Sequence, residues 1–179
     1  MKKILFTFLA VMACSMTALA QPKSNKPLVA YVSMTGTTAK VAQTLAIVSG
    51  GELYEIAPEI RYTDADLNWR NEKSRCYVEM HNLSFRPAIK GKKANIADYD
   101  TIYLGYPIWW NIAPTLLNTF IESHNLKGKN VIPFATSGGS TIDNSVKELK
   151  KAYPDIKWQE GKLLNDATEK SIRQWLKSK

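Results

Sequence analysis

Apolar runs and helical-period stretches alternate along this chain five times, and that alternation leaves few ways to fold it. Strands are expected at 28–32, 53–56, 101–106, 130–135 and 156–158. Helices are expected at 38–49, 65–80, 114–123, from 140 or 141 to 152, and at 167–177. The central runs are continuously apolar, which suits strands covered on both faces. Strands separated by helices call for crossovers between parallel neighbours. The expectation is an α/β fold: a doubly wound, five-stranded parallel sheet with helices on both faces. Gly50 and Gly51 end the first helix, and Asp64 is placed to cap the polar second one. Pro133 removes a ladder donor from the fourth strand, so a local irregularity is expected there.

Ligands of open α/β sheets sit at the carboxyl ends of the strands, and three unusual loops fall there. The first is Ser33, Met34, Thr35, Gly36, Thr37 and Thr38, between an apolar strand and a helix. The helix N-terminus leaves N–H groups unpaired, the hydroxyls add donors, and Gly36 permits a tight turn. The loop therefore suits a phosphate. No lysine follows the glycine, so it is not the loop that holds a nucleoside triphosphate. The second loop is Pro107, Ile108, Trp109, Trp110 and Asn111, with two indoles to stack on a flat ring and an Asn that tolerates left-handed backbone. The third is Thr136, Ser137, Gly138 and Gly139, where backbone N–H groups can approach the polar edge of a heterocycle. A phosphate end, a flat apolar body and a hydrogen-bonding edge describe FMN. Each loop taken alone could equally be a turn, a helix cap or a piece of core.

The first loop resembles the phosphate loop of the flavodoxin family, with Thr37 where the family usually has Asn. Residues 105–110 and 133–140 look like a bacterial flavodoxin-like subfamily, Asn111 replacing its usual glycine. The resemblance implies a flavodoxin-like sheet in the order 2-1-3-4-5, with FMN held by the fifteen residues of the three loops. It also implies one- or two-electron transfer to redox partner proteins or small electron acceptors. An FMN-dependent quinone or nitro-compound reductase is the alternative, and a non-redox module that keeps the fold is the next.

With 179 residues, one domain with a substantial core is expected, over 28–179 behind a flexible 21–27. Residues 1–20 read as a secretory signal peptide. Lys2 and Lys3 precede an apolar stretch too short to span a membrane, and Ala18-Leu19-Ala20 gives a cleavage site before Gln21. The protein is thus expected outside the cytoplasm, in the periplasm. A rival reading anchors it as a lipoprotein through Cys14. Cleavage removes two of 24 basic residues, leaving 22 against 16 acidic ones, a net charge of +6. That surplus favours acidic partners or an anionic membrane face. The lysines are scattered without an aromatic-interleaved patch, which argues against nucleic acid. Cys76 would then be the one cysteine left, a packed or partly exposed thiol, and His81 and His124 lack metal-ligand spacing. Oligomeric state is not legible.

Overall fold

The computed structural model describes residues 26–91, 93 and 95–178. The signal peptide and most of the flexible N-terminus read from the sequence lie outside these residues. The elements run β1 (Leu28–Tyr31), α1 (Thr37–Ser49), β2 (Glu52–Glu55), α2 (Arg75–His81), a 3-10 turn (Ile96–Asp98), β3 (Thr101–Pro107) and α3 (Thr115–Ser123). Then follow β4 (Asn130–Thr136), α4 (Asp143–Ala152), β5 (Lys157–Trp158), β6 (Lys162–Leu163) and α5 (Glu169–Lys177). All strand pairs are parallel and the sheet order is β2-β1-β3-β4-β5, as the resemblance implies, with β6 also pairing β4.

Strand residues alternate between two cores, one on each face of the sheet. Leu28, Ala30, Ile102, Leu104, Tyr106 and Val131 pack with Leu117 and Phe120 of α3 and Leu149 of α4. Val29, Tyr31, Tyr103, Ile132 and Phe134 pack with Val41 and Leu45 of α1 and with Ile172 and Trp175 of α5. This two-sided burial is why the strands read as unbroken apolar runs.

The irregularity expected at Pro133 falls on its neighbour instead. The β3–β4 register runs unbroken through Leu104 and Pro133. On the other side, Val131 O accepts from Gln159 N–H and Ala135 O from Leu164 N–H, both at 2.8 Å. Pro133 lies midway between them and faces the break that separates β5 from β6, so its missing donor leaves no ladder bond unmade.

The polar helix expected over 65–80 forms only as α2, capped by the Ser74 hydroxyl and not by Asp64. Upstream, polar side chains take up backbone donors that a helix would need. Asp66 Oδ2 accepts from Thr63 N–H at 2.9 Å, Asn68 Oδ1 from Arg70 N–H at 3.2 Å, and Asn71 Oδ1 from Lys73 N–H at 3.0 Å. Such local bonds stabilise turns at the expense of helix. Likewise α4 opens at Asp143, not at 140 or 141, because Ser137 Oγ accepts from Gly139 N–H at 3.2 Å and Ser140 N–H at 2.8 Å. That prolongs the loop after β4.

Candidate functional site

The loops after β1, β3 and β4 converge at the carboxyl ends of the central strands and line one cavity of about 900 Å3. Met34, Thr35, Thr37, Thr38, Pro107, Ile108, Trp109, Trp110, Thr136, Ser137, Gly138 and Gly139 all lie on its wall. Ser33, Gly36 and Asn111 do not, and each has a local task instead.

In the first loop, Gly36 adopts φ +89° at the N-cap of α1, a left-handed turn that only glycine takes without strain. Ser33 Oγ accepts from Ala39 N–H at 3.2 Å, and Lys40 N–H reaches Gly36 O at 3.1 Å. Within an α-helix the first N–H groups have no intrahelical acceptor. Those of Thr37 and Thr38 therefore remain for a ligand, at the positive end of the α1 dipole. Thr38 is 1% exposed, and its hydroxyl bonds that of Thr136 at 2.8 Å, tying the first loop to the third. Either hydroxyl can be the donor in this pair, so the Thr38 O–H points to a phosphate only where Thr136 donates to it. Thr35 and Thr37 are exposed, and theirs remain available.

The second loop is a two-residue reverse turn. Trp109 and Ile112 exchange both backbone hydrogen bonds, at 3.0 and 2.9 Å, around Trp110 (φ 45°) and Asn111 (φ 66°). Positive φ at both central positions is the turn that usually carries Asn-Gly. Asn accepts it readily, whereas for Trp110 left-handed backbone costs about 1–2 kcal/mol. Asn111 O also accepts from Asn144 Nδ2 of α4 at 3.1 Å. The Trp109 ring meets Tyr62 edge-on at 5.9 Å between centroids, and Trp110 meets Tyr77 at 5.8 Å and His81 at 5.5 Å.

The third loop is held by a residue the sequence reading missed. Ser137 N–H donates to Asn165 Oδ1 at 2.7 Å, and Asn165 Nδ2 donates back to Ser137 O at 2.8 Å. With the N–H groups of Gly139 and Ser140 on Ser137 Oγ, that of Gly138 is the one left for the cavity. Open space surrounds both Gly138 and Gly139, so bare backbone can meet a ligand closely.

The wall also includes Leu67, Trp69, Cys76, Ser140, Asn165 and Asp166. The first three come from the segment between β2 and β3, which also begins at the carboxyl end of a strand, so the positional rule that found the other loops points here as well. Asn165 and Asp166 follow β6, which prolongs the sheet past the end of the strand expected at 156–158. Cys76 is buried, 2% exposed, with its sulfur 3.5 Å from Ser74 Oγ. Asp166 and Cys76 are the ionisable groups on the wall, and no lysine or arginine lines it among the described residues.

Behind the indoles, Tyr62 donates its hydroxyl to the buried Glu79. Burial first, and then the Glu79 carboxylate, push the Tyr62 hydroxyl far above the usual phenol range. Deeper in the sheet, burial pushes Tyr106 up to about 12.

No curated protein matches the chain. Among solved structures, a candidate flavoprotein of Bacteroides eggerthii is 59% identical, with a TM-score of 0.83 over 86% of this chain and 96% of that one. One of Bacteroides uniformis is 53% identical, with a TM-score of 0.83 over 85% and 97%. A Lactobacillus acidophilus flavoprotein, solved in complex with FMN, shares the fold at 22% identity and a TM-score of 0.68, over 86% and 99%. The flavodoxin family model matches residues 26–179, essentially the whole described chain, and the protein belongs to the flavodoxin family.

Proposed function

We propose that this protein binds one FMN in the 900 Å3 cavity and acts as an exported electron-transfer flavoprotein. The observation that carries the reading is the meeting of three chemically different loops in one place. The donor set fits the group. Backbone N–H groups of Thr37 and Thr38 and the hydroxyls of Thr35 and Thr37 suit a phosphate, the indoles of Trp109 and Trp110 suit a flat ring, and the Gly138 N–H suits its polar edge. Family membership, and a relative of the same fold that was solved with FMN, point the same way.

The bound flavin would supply one- and two-electron chemistry, while the chain binds it, orients it and sets its electrostatic surroundings. A wall with the Asp166 carboxylate and no basic side chain among the described residues disfavours added negative charge on the ring, which lowers the reduction potential. Export through the signal read at 1–20 would carry an unfolded chain, so the flavin is acquired afterwards. Redox proteins or small acceptors are the partners this reading calls for.

A reductase is the second reading, and Trp69 favours it. This ring is 60% exposed yet lines the cavity, with the Arg70 guanidinium 4.8 Å from its centroid, so it offers aromatic surface beside the proposed flavin to an acceptor. One experiment separates the readings. Purified protein mixed with FMN should retain one flavin per chain with quenched emission. If NAD(P)H leaves the flavin yellow, the protein is a carrier; bleaching without a partner protein makes it a reductase. Failure to retain any flavin would overturn both and favour a non-redox module.

A further inference from the structure

The segment between β2 and β3 contains a half-buried charged cluster that neither lines the cavity nor belongs to the sheet. Arg75 opens α2, and one turn later Glu79, only 4% exposed, receives its Nε–H at 2.6 Å. The other Glu79 oxygen accepts the Tyr62 hydroxyl. The Arg75 guanidinium also lies over the Tyr62 ring, 3.8 Å from its centroid, and Nη1 donates to Ile60 O at 2.7 Å. Tyr62 is thereby gripped by its hydroxyl and its face. The grip ends on Trp109, whose indole stands at 74° to the Tyr62 ring.

A buried ion pair adds little to stability over an apolar replacement, because desolvation offsets most of the attraction. What it can do is fix geometry. Trp109 is also held through its backbone, by the turn it shares with Ile112. Trp110 is supported separately, by the stacked Tyr77 and His81 rings.

We propose that Tyr62, clamped by Glu79 and Arg75, is the positioning residue that sets the Trp109 indole against the flavin ring. This rests on the reading that the cavity holds FMN. None of the three touches the cavity, so all act through the indole. Their contribution falls on the ring of the ligand and not on its phosphate, which the first loop would hold.

The test compares FMN and riboflavin titrations of wild type, Tyr62→Leu, Tyr62→Phe and Glu79→Gln, with flavin emission recorded. Tyr62→Leu should weaken both flavins by the same factor, about tenfold, the order expected for a lost aromatic contact with some lost burial. It should also raise the emission of bound FMN. Tyr62→Phe keeps the ring on Trp109 and should stay within about threefold of wild type, as expected when one hydrogen bond is lost. Glu79→Gln keeps an acceptor for Tyr62 but releases Arg75, so its emission should fall between wild type and Tyr62→Leu. In every variant the FMN to riboflavin affinity ratio should be unchanged. A general loosening of the fold would disturb the phosphate loop too and shift that ratio. The proposal is overturned if the ratio shifts, or if Tyr62→Leu and Glu79→Gln leave riboflavin affinity and emission at wild-type values. Wild type that binds neither flavin would overturn the FMN reading itself, and this proposal with it, before any variant is compared.

Discussion

Riboflavin should bind this protein about 10²–10⁴-fold more weakly than FMN. The two flavins differ only in the phosphate, so the ratio isolates the first loop. In that loop the N–H groups of Thr37 and Thr38 precede the first backbone donors that already have acceptors, on Ala39 and Lys40. Each charge-assisted hydrogen bond from such a group contributes about 1.5–3 kcal/mol. Two of them give about 3–6 kcal/mol, and every 1.4 kcal/mol is a factor of ten. The positive end of α1 acts in the same direction, with no basic side chain needed. Fluorescence titration at one salt concentration reads the ratio directly. Equal affinities would remove the phosphate assignment and leave the loop as a strand-to-helix turn.

Gly105→Ala should destabilise the protein by about 3 kcal/mol, the upper end for overpacking a well-filled core. Gly105 sits in β3, paired with Tyr31 on one side and Phe134 on the other. A Cβ placed there would lie 2.1 Å from Phe134 Cζ and 2.5 Å from Cε2, so the fully buried Phe134 ring rests on the bare backbone. The ring is held among Ile132, Ile172 and Trp175 and has little room to withdraw. Urea unfolding measures the loss as a lower midpoint. Gly138→Ala is the control, since nothing lies within 4 Å of the Cβ it would add, and its cost should stay within about 0.5 kcal/mol. Adding Phe134→Leu to Gly105→Ala should cost less than the two changes separately, because they share one contact. Additive losses would mean that the ring does not depend on the glycine.

The sheet was legible because its central strands are buried on both faces, and few arrangements leave such unbroken apolar runs between helices. The three loops were legible because hydroxyls, glycines and paired indoles at strand ends are chemically conspicuous. What escaped the sequence was set by bonds between distant or irregular segments. Asn165 looks like any loop asparagine until its side chain pairs with both backbone groups of Ser137. The 65–80 stretch has helical composition, but its Asp and Asn side chains favour turns, and only the structure shows that Leu67, Trp69 and Cys76 fold back onto the cavity. Trp110 is the sharpest case. The sequence suggested left-handed backbone at Asn111 alone, while the turn closed by Trp109 and Ile112 adopts it at both residues.

Crystals of the FMN-loaded protein test the central claim most directly. The account predicts phosphate oxygens within hydrogen-bond distance of the Thr37 and Thr38 N–H groups, the flavin ring against the Trp109–Trp110 turn, and its polar edge toward Gly138. It would be contradicted by a flavin whose phosphate lies away from the N-terminus of α1. A flavin seated in the separate cavity of about 450 Å3 between α3 and α4, lined by Thr115, Asn118 and Leu149, would contradict it equally.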